Sequence, residues 1–191
     1  MNIPENFYHI TTLKNYLKMG VSNEVKTSLD GCFGKSSGLK GVFMTDMPNY
    51  VSNWRYSKNW SGHLGFSLLR HAAKKENRLV CLKIPSKNLS EENIIVRSQN
   101  KLFDFIRRKQ GDKQHAFNGI ELKNAKDSIS DTEAVEYIYT KSIPWDDVEI
   151  VGMADARKLA KRLPRGSSNG EWTKETLKEF FKNKSELNFI V

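Results

Sequence analysis

The sequence predicts an α+β fold, and three observations carry that expectation. Short strand-like stretches recur at unequal spacings, helix-like stretches fall between them without the regular alternation that builds a parallel sheet, and no internal repeat or low-complexity segment is present. An apolar fraction of 38%, with ten Phe and four Trp, is enough for a real core and argues against disorder. At 191 residues the chain fits one domain spanning 1–191.

Residues 8–11, "YHIT", read as a strand because Tyr, Ile and Thr suit a half-buried pleated surface. Thr12 can cap a helix through Met19, with Leu13, Tyr16 and Leu17 on one apolar face and Gly20 at its C-terminal end. Residues 22–40 are polar and without period, a long loop. Residues 41–45 form the next strand, and Pro48 opens a helix that carries Tyr50, Trp54 and Tyr56.

"LVCLKI", residues 79–84, is a strand ended by Pro85. Residues 94–96 form another, and residues 102–108 a short helix with Phe103 and Ile106 on its buried side. In "VEYIYT", Val135, Tyr137 and Tyr139 alternate with Glu136, Ile138 and Thr140 at the period of a strand, so that Glu136 shares a face with Ile138. Pro144 closes that stretch, and residues 148–153 make a last central strand. A basic helix, "DARKLAKRL", and a terminal helix over 173–183 complete the chain.

No apolar run approaches the roughly 18 residues that span a bilayer, and the opening residues lack the basic-then-apolar pattern of a secretion signal, so a cytoplasmic protein is expected. Cys32 and Cys81 are too few for a disulfide framework and lack metal-ligand spacing; they read as reduced thiols in or near the core, and no metal is expected.

The formal charge of +9 favours polyanionic partners, and the excess sits in the first two thirds of the chain. Arg70, Lys74 and Lys75, close together on a helix-like stretch, form a candidate phosphate-contacting face. Trp54, Tyr56 and Trp60, interleaved with Arg55 and Lys58, have the aromatic and basic mix that stacks single-stranded bases. The same residues also fit a solvated basic surface and a helix whose aromatics face the core.

Taken singly, His9 reads as a structural histidine and Phe43 as core. Glu136 is different, because a carboxylate in an apolar strand needs a partner or a task, unless the strand is an exposed edge. In their order, "YHIT", "GVFMTDMPNY" and "VEYIYTKSIP" resemble the ADP-ribosyltransferase superfamily in its histidine, aromatic, glutamate form. The resemblance spans roughly residues 7–153 and implies a split β-sheet core with flanking helices.

It also implies NAD as co-substrate, with His9 on the adenosine-side ribose and Thr11 alongside. Phe43 and Tyr50 would sandwich the nicotinamide, and Glu136 would be the catalytic carboxylate. Lys26, Lys35 and Lys40 in the 22–40 segment would serve the pyrophosphate. Within the superfamily the chain is most similar to DarT-like toxins, which modify single-stranded DNA and are paired with a macrodomain antitoxin. It departs from them in having no Arg between His9 and Arg55, which leaves Arg55 as the candidate for the arginine that takes part in their reaction. The double-glutamate spacing of arginine-modifying relatives is also missing, since Glu133 stands three residues before Glu136.

Three readings follow from the sequence. The first is a transferase acting on nucleic acid, as a toxin or phage-conflict factor. The second is a transferase acting on protein, or an NAD-dependent RNA 2′-phosphotransferase. The third is a non-catalytic nucleic-acid-binding module.

Overall fold

The computed structural model describes residues 2–29, 38–46, 78–129 and 135–155. The helix expected after Pro48, the basic stretch around Arg70 and the two C-terminal helices lie outside the described residues, as do Cys32, Lys35 and Glu133.

The architecture is mixed α+β. Strand β1 (Asn6–Thr12) leads through the cap at Thr12, whose hydroxyl accepts from the Asn15 N–H at 3.3 Å, into helix α1 (Leu13–Ser22). The helix runs past Gly20 and stops at Asn23, a residue at φ 55° that caps its end. Leu13, Tyr16 and Met19 turn toward the core, whereas Leu17, expected on that face, is exposed. Positions 13, 16 and 19 follow the i+3 row, and Leu17 falls beside it.

The segment expected to be a loop over 22–40 contains two short strands, β2 (Glu24–Val25) and β3 (Ser28–Leu29). They are followed by β4 (Lys40–Met44), β5 (Arg78–Pro85) and β6 (Ile94–Ser98). Helices α2 (Gln99–Arg108) and α3 (Lys113–Asn118) come next, then β7 (Ile120–Glu121) and α4 (Leu122–Ser128). The described chain closes with β8 (Val135–Tyr139), β9 (Ile143–Pro144) and β10 (Glu149–Asp155).

Two sheets dominate: β1-β5-β10, and β3-β4-β8-β6-β7. The last strand, expected to be central, sits at the edge of the smaller sheet among the described residues, whereas β8 lies between β4 and β6. One core is shared. Phe7 of β1 and Val80, Leu82 and Ile84 of β5 cluster with Val42, Met44, Val96 and Tyr137 of the larger sheet. Across it the Phe7 and Tyr137 rings meet at 4.9 Å, inclined by 55°, a tilted pairing that aromatic quadrupoles favour.

Cys81 is a buried thiol on β5, and burial pushes its pKa up to about 12. Since the thiolate is the reactive species, Cys81 is expected to resist alkylation in the native state and to label once denaturant unfolds β5. Peptide mass analysis of residue 81 with and without denaturant checks this; rapid native labelling would contradict the burial.

Among the described residues, no helix is long and apolar enough to cross a membrane.

Candidate active site at the seam of two sheets

Among the described residues, β1 meets the chain just past β4 at a single bridge, Tyr8 with Thr45. The Tyr8 N–H donates to the Thr45 carbonyl at 2.7 Å and the Thr45 N–H to the Tyr8 carbonyl at 2.9 Å. Were the ladder to continue, the next such pair would be Ile10 with Phe43, two residues on in each strand. It does not form. The imidazole of His9 takes its place, with Nδ1 2.8 Å from the Phe43 carbonyl oxygen.

A carbonyl can only accept, so Nδ1 carries the proton and Nε2 is left as an acceptor. Nε2 is buried and has no hydrogen-bond partner among the described residues. Burial pulls the imidazole below its usual 6.5 against the smaller opposing effect of the Phe43 hydrogen bond, so His9 is neutral at pH 7. Below 6.5 the unfolded chain binds a proton that folded His9 still refuses, so this residue's contribution to stability is present above 6.5 and lost as pH falls. Denaturant unfolding at several pH values is expected to show wild type losing more stability on acidification than His9→Asn; equal slopes would contradict the assignment.

On the larger sheet, register places Phe43 opposite Ile138 and Arg97 opposite Glu136. Because alternate residues share a face, Phe43, Ile138, Glu136 and Arg97 stand together on the side turned away from the core cluster, while Tyr137 and Tyr139 point into it. The edge-strand alternative for Glu136 is thereby corrected. Its strand is central, and all five residues of β8 are buried rather than alternating with exposed ones.

Glu136 is 8% exposed and Arg97 fully buried. The Arg97 Nε donates to Glu136 Oε2 at 3.0 Å, and Nη2 donates to the same oxygen. The third contact, Nη1 to the Phe117 carbonyl at 3.2 Å, ties the guanidinium to the end of α3. Gly119, at φ 69°, allows this approach, since a Cβ there would lie 2.5 Å from the Val96 carbonyl oxygen. The guanidinium carbon also lies 5.7 Å from the Phe43 ring centroid, within cation–π range.

The sequence-derived candidates are therefore distributed as follows. His9 is joined to Phe43 through a backbone carbonyl, and the Phe43 ring to Glu136 through Arg97; no described contact links the imidazole to the carboxylate directly. At the Tyr8–Thr45 bridge, His9 continues the core-facing side and Phe43 the other, so the imidazole sits at the seam where the sheets part and Glu136 on the larger sheet beyond it. Thr11 is buried on the same face of β1 as His9.

Lys26 is exposed and paired with Glu24 at 3.7 Å, and Lys40 is exposed at the start of β4. Tyr50, Trp54, Arg55, Lys58, Arg70, Lys74 and Lys75 lie outside the described residues. Among the described residues, no cluster of three or more His, Cys, Asp or Glu could hold a metal ion.

The residue that sequence reasoning missed is Arg97. Ending the strand at Val96 left it in the following connection, yet "IIVRS" carries the same signal as "VEYIY", a lone charge in an apolar strand. Extending the strand by two residues pairs the two charges. Comparison with protein-family models, with curated proteins and with solved structures finds no match.

Proposed function

We propose that the chain is an NAD-dependent ADP-ribosyltransferase built on a split-sheet core, and that it transfers ADP-ribose to nucleic acid, with a base of single-stranded DNA as the favoured acceptor. The observation that carries this reading is the seam itself. A histidine near the start of the chain replaces the ladder bond that would have joined β1 to Phe43, and a buried glutamate stands on the central strand of the larger sheet.

The orphaned Nε2 fits such a ligand, since a buried acceptor without a donor is costly and a ribose hydroxyl would satisfy it. NAD supplies the ADP-ribose and the nicotinamide leaving group. For their part, the residues of this chain bind and stabilise. His9 accepts a hydroxyl proton in a hydrogen bond, and Phe43 offers an aromatic surface to a cationic ring. Glu136 lowers the energy of positive, oxocarbenium-like charge at the ribose carbon, as carboxylates do in glycosidic cleavage. A dinucleotide touching both ends would have to pass between β1 and β4 where their ladder stops.

The charge of +9 supports an acceptor rich in phosphate, and the resemblance to DarT-like toxins implies a role as a toxin or phage-conflict factor that a macrodomain antitoxin could reverse. Arg55 remains the sequence's candidate for a further catalytic group, with Tyr50 as the second aromatic wall. Trp54, Lys58, Arg70, Lys74 and Lys75 remain candidates for the nucleic-acid contact.

The buried Arg97–Glu136 pair also suits a second reading, a non-catalytic module in which the pair only holds the sheet together. Incubation with labelled NAD and single-stranded DNA, RNA or cell lysate separates the two. Transfer of label to the DNA fraction supports the proposal, transfer to RNA or protein moves the acceptor, and absence of nicotinamide release leaves the binding module.

A further inference from the structure

Buried ion pairs add little to stability, because removing two charges from water costs about as much as their attraction returns, and apolar replacements often do as well. Stability alone therefore does not call for the Arg97–Glu136 pair at the middle of the larger sheet. Its geometry is specific. Two donors of one guanidinium converge on a single carboxylate oxygen, Oε2, and Nη1 anchors the same guanidinium to the Phe117 carbonyl, so that oxygen is held in place by a group that is itself tied to the end of α3. Arg97 is fully buried, and its guanidinium carbon also lies 5.7 Å from the ring centroid of Phe43, the residue proposed to stack on the nicotinamide.

We infer that Arg97 is a positioning residue for the reaction: it holds Glu136 in the orientation that meets the ribose and keeps Phe43 in register with it. The inference rests on the transferase reading and adds to it a group from β6 that neither the sequence motifs nor the loop arginine of similar toxins would indicate. A fork anchored at both ends suits this task better than a lysine, whose ammonium is a point charge on a flexible stem.

The test measures kcat and KM for NAD, by nicotinamide release with whichever acceptor takes label, in wild type, Arg97→Lys, Glu136→Gln and the double variant, each with its unfolding midpoint. Arg97→Gln, whose amide still donates, serves if the lysine variant does not fold. Misplacing a catalytic group by about 1 Å can cost roughly 10²-fold, so a folded Arg97 variant is expected to lose about that much in kcat, with KM changed only a few-fold. The double variant is expected to be no slower than Glu136→Gln alone, since a residue acting through Glu136 has nothing left to position.

A folded Arg97 variant with wild-type kcat overturns the inference and leaves the transferase reading standing. So do losses that multiply in the double variant. A wild-type protein that releases no nicotinamide removes both.

Discussion

Glu136→Gln is expected to reduce nicotinamide release and label transfer by about 10²- to 10³-fold, the scale seen when one preorganised electrostatic group is removed from a transition state. Glutamine keeps an oxygen that can accept from Arg97 and nearly the same volume, so the loss would report charge rather than shape. It is measured as initial rates at saturating NAD, corrected for the folded fraction. Full activity in the folded variant would remove Glu136 from the chemistry. If expression of the wild type is toxic, Glu136→Ala is expected to relieve that toxicity.

The second large effect is on stability. Glu136→Leu leaves the fully buried Arg97 without its carboxylate, and breaking a buried pair from one side costs about 3–5 kcal/mol. The double change Arg97→Met with Glu136→Leu is expected to return most of that, because no uncompensated charge remains on the sheet. Denaturant unfolding of the three proteins checks this. A double variant as unstable as the single one would mean that the Phe117 carbonyl needs the guanidinium in its own right.

Much of the architecture was legible because its signals are local. The capping hydroxyl of Thr12, the apolar run of β5 and the alternation of β8 each declare an element within a few residues. What escaped depends on distant partners. Glu24–Val25 is a strand only because Ile143–Pro144 lies beside it, and Ser28–Leu29 only because Lys40 and Gly41 do; two residues carry no period of their own. The edge position of β10 likewise follows from its pairing with β5, which no property of residues 148–153 specifies.

The candidate site divides in the same way. Glu136 stood out because a charge in an apolar strand is costly, and the same reasoning applied to Arg97 would have found its partner. The contribution of His9 was harder to read. Its value lies in the absence of a ladder bond between β1 and β4, and an absent pairing leaves no mark in either strand.

The most direct measurement is a crystal structure with an NAD analogue whose ribosyl C–N bond cannot break. The dinucleotide is expected to pass between β1 and β4, with a ribose hydroxyl on His9 Nε2 and the nicotinamide ribose against the Glu136 carboxylate. A dinucleotide bound elsewhere, or one that reaches the imidazole while the carboxylate remains sealed beneath Phe43 and Arg97, would contradict it.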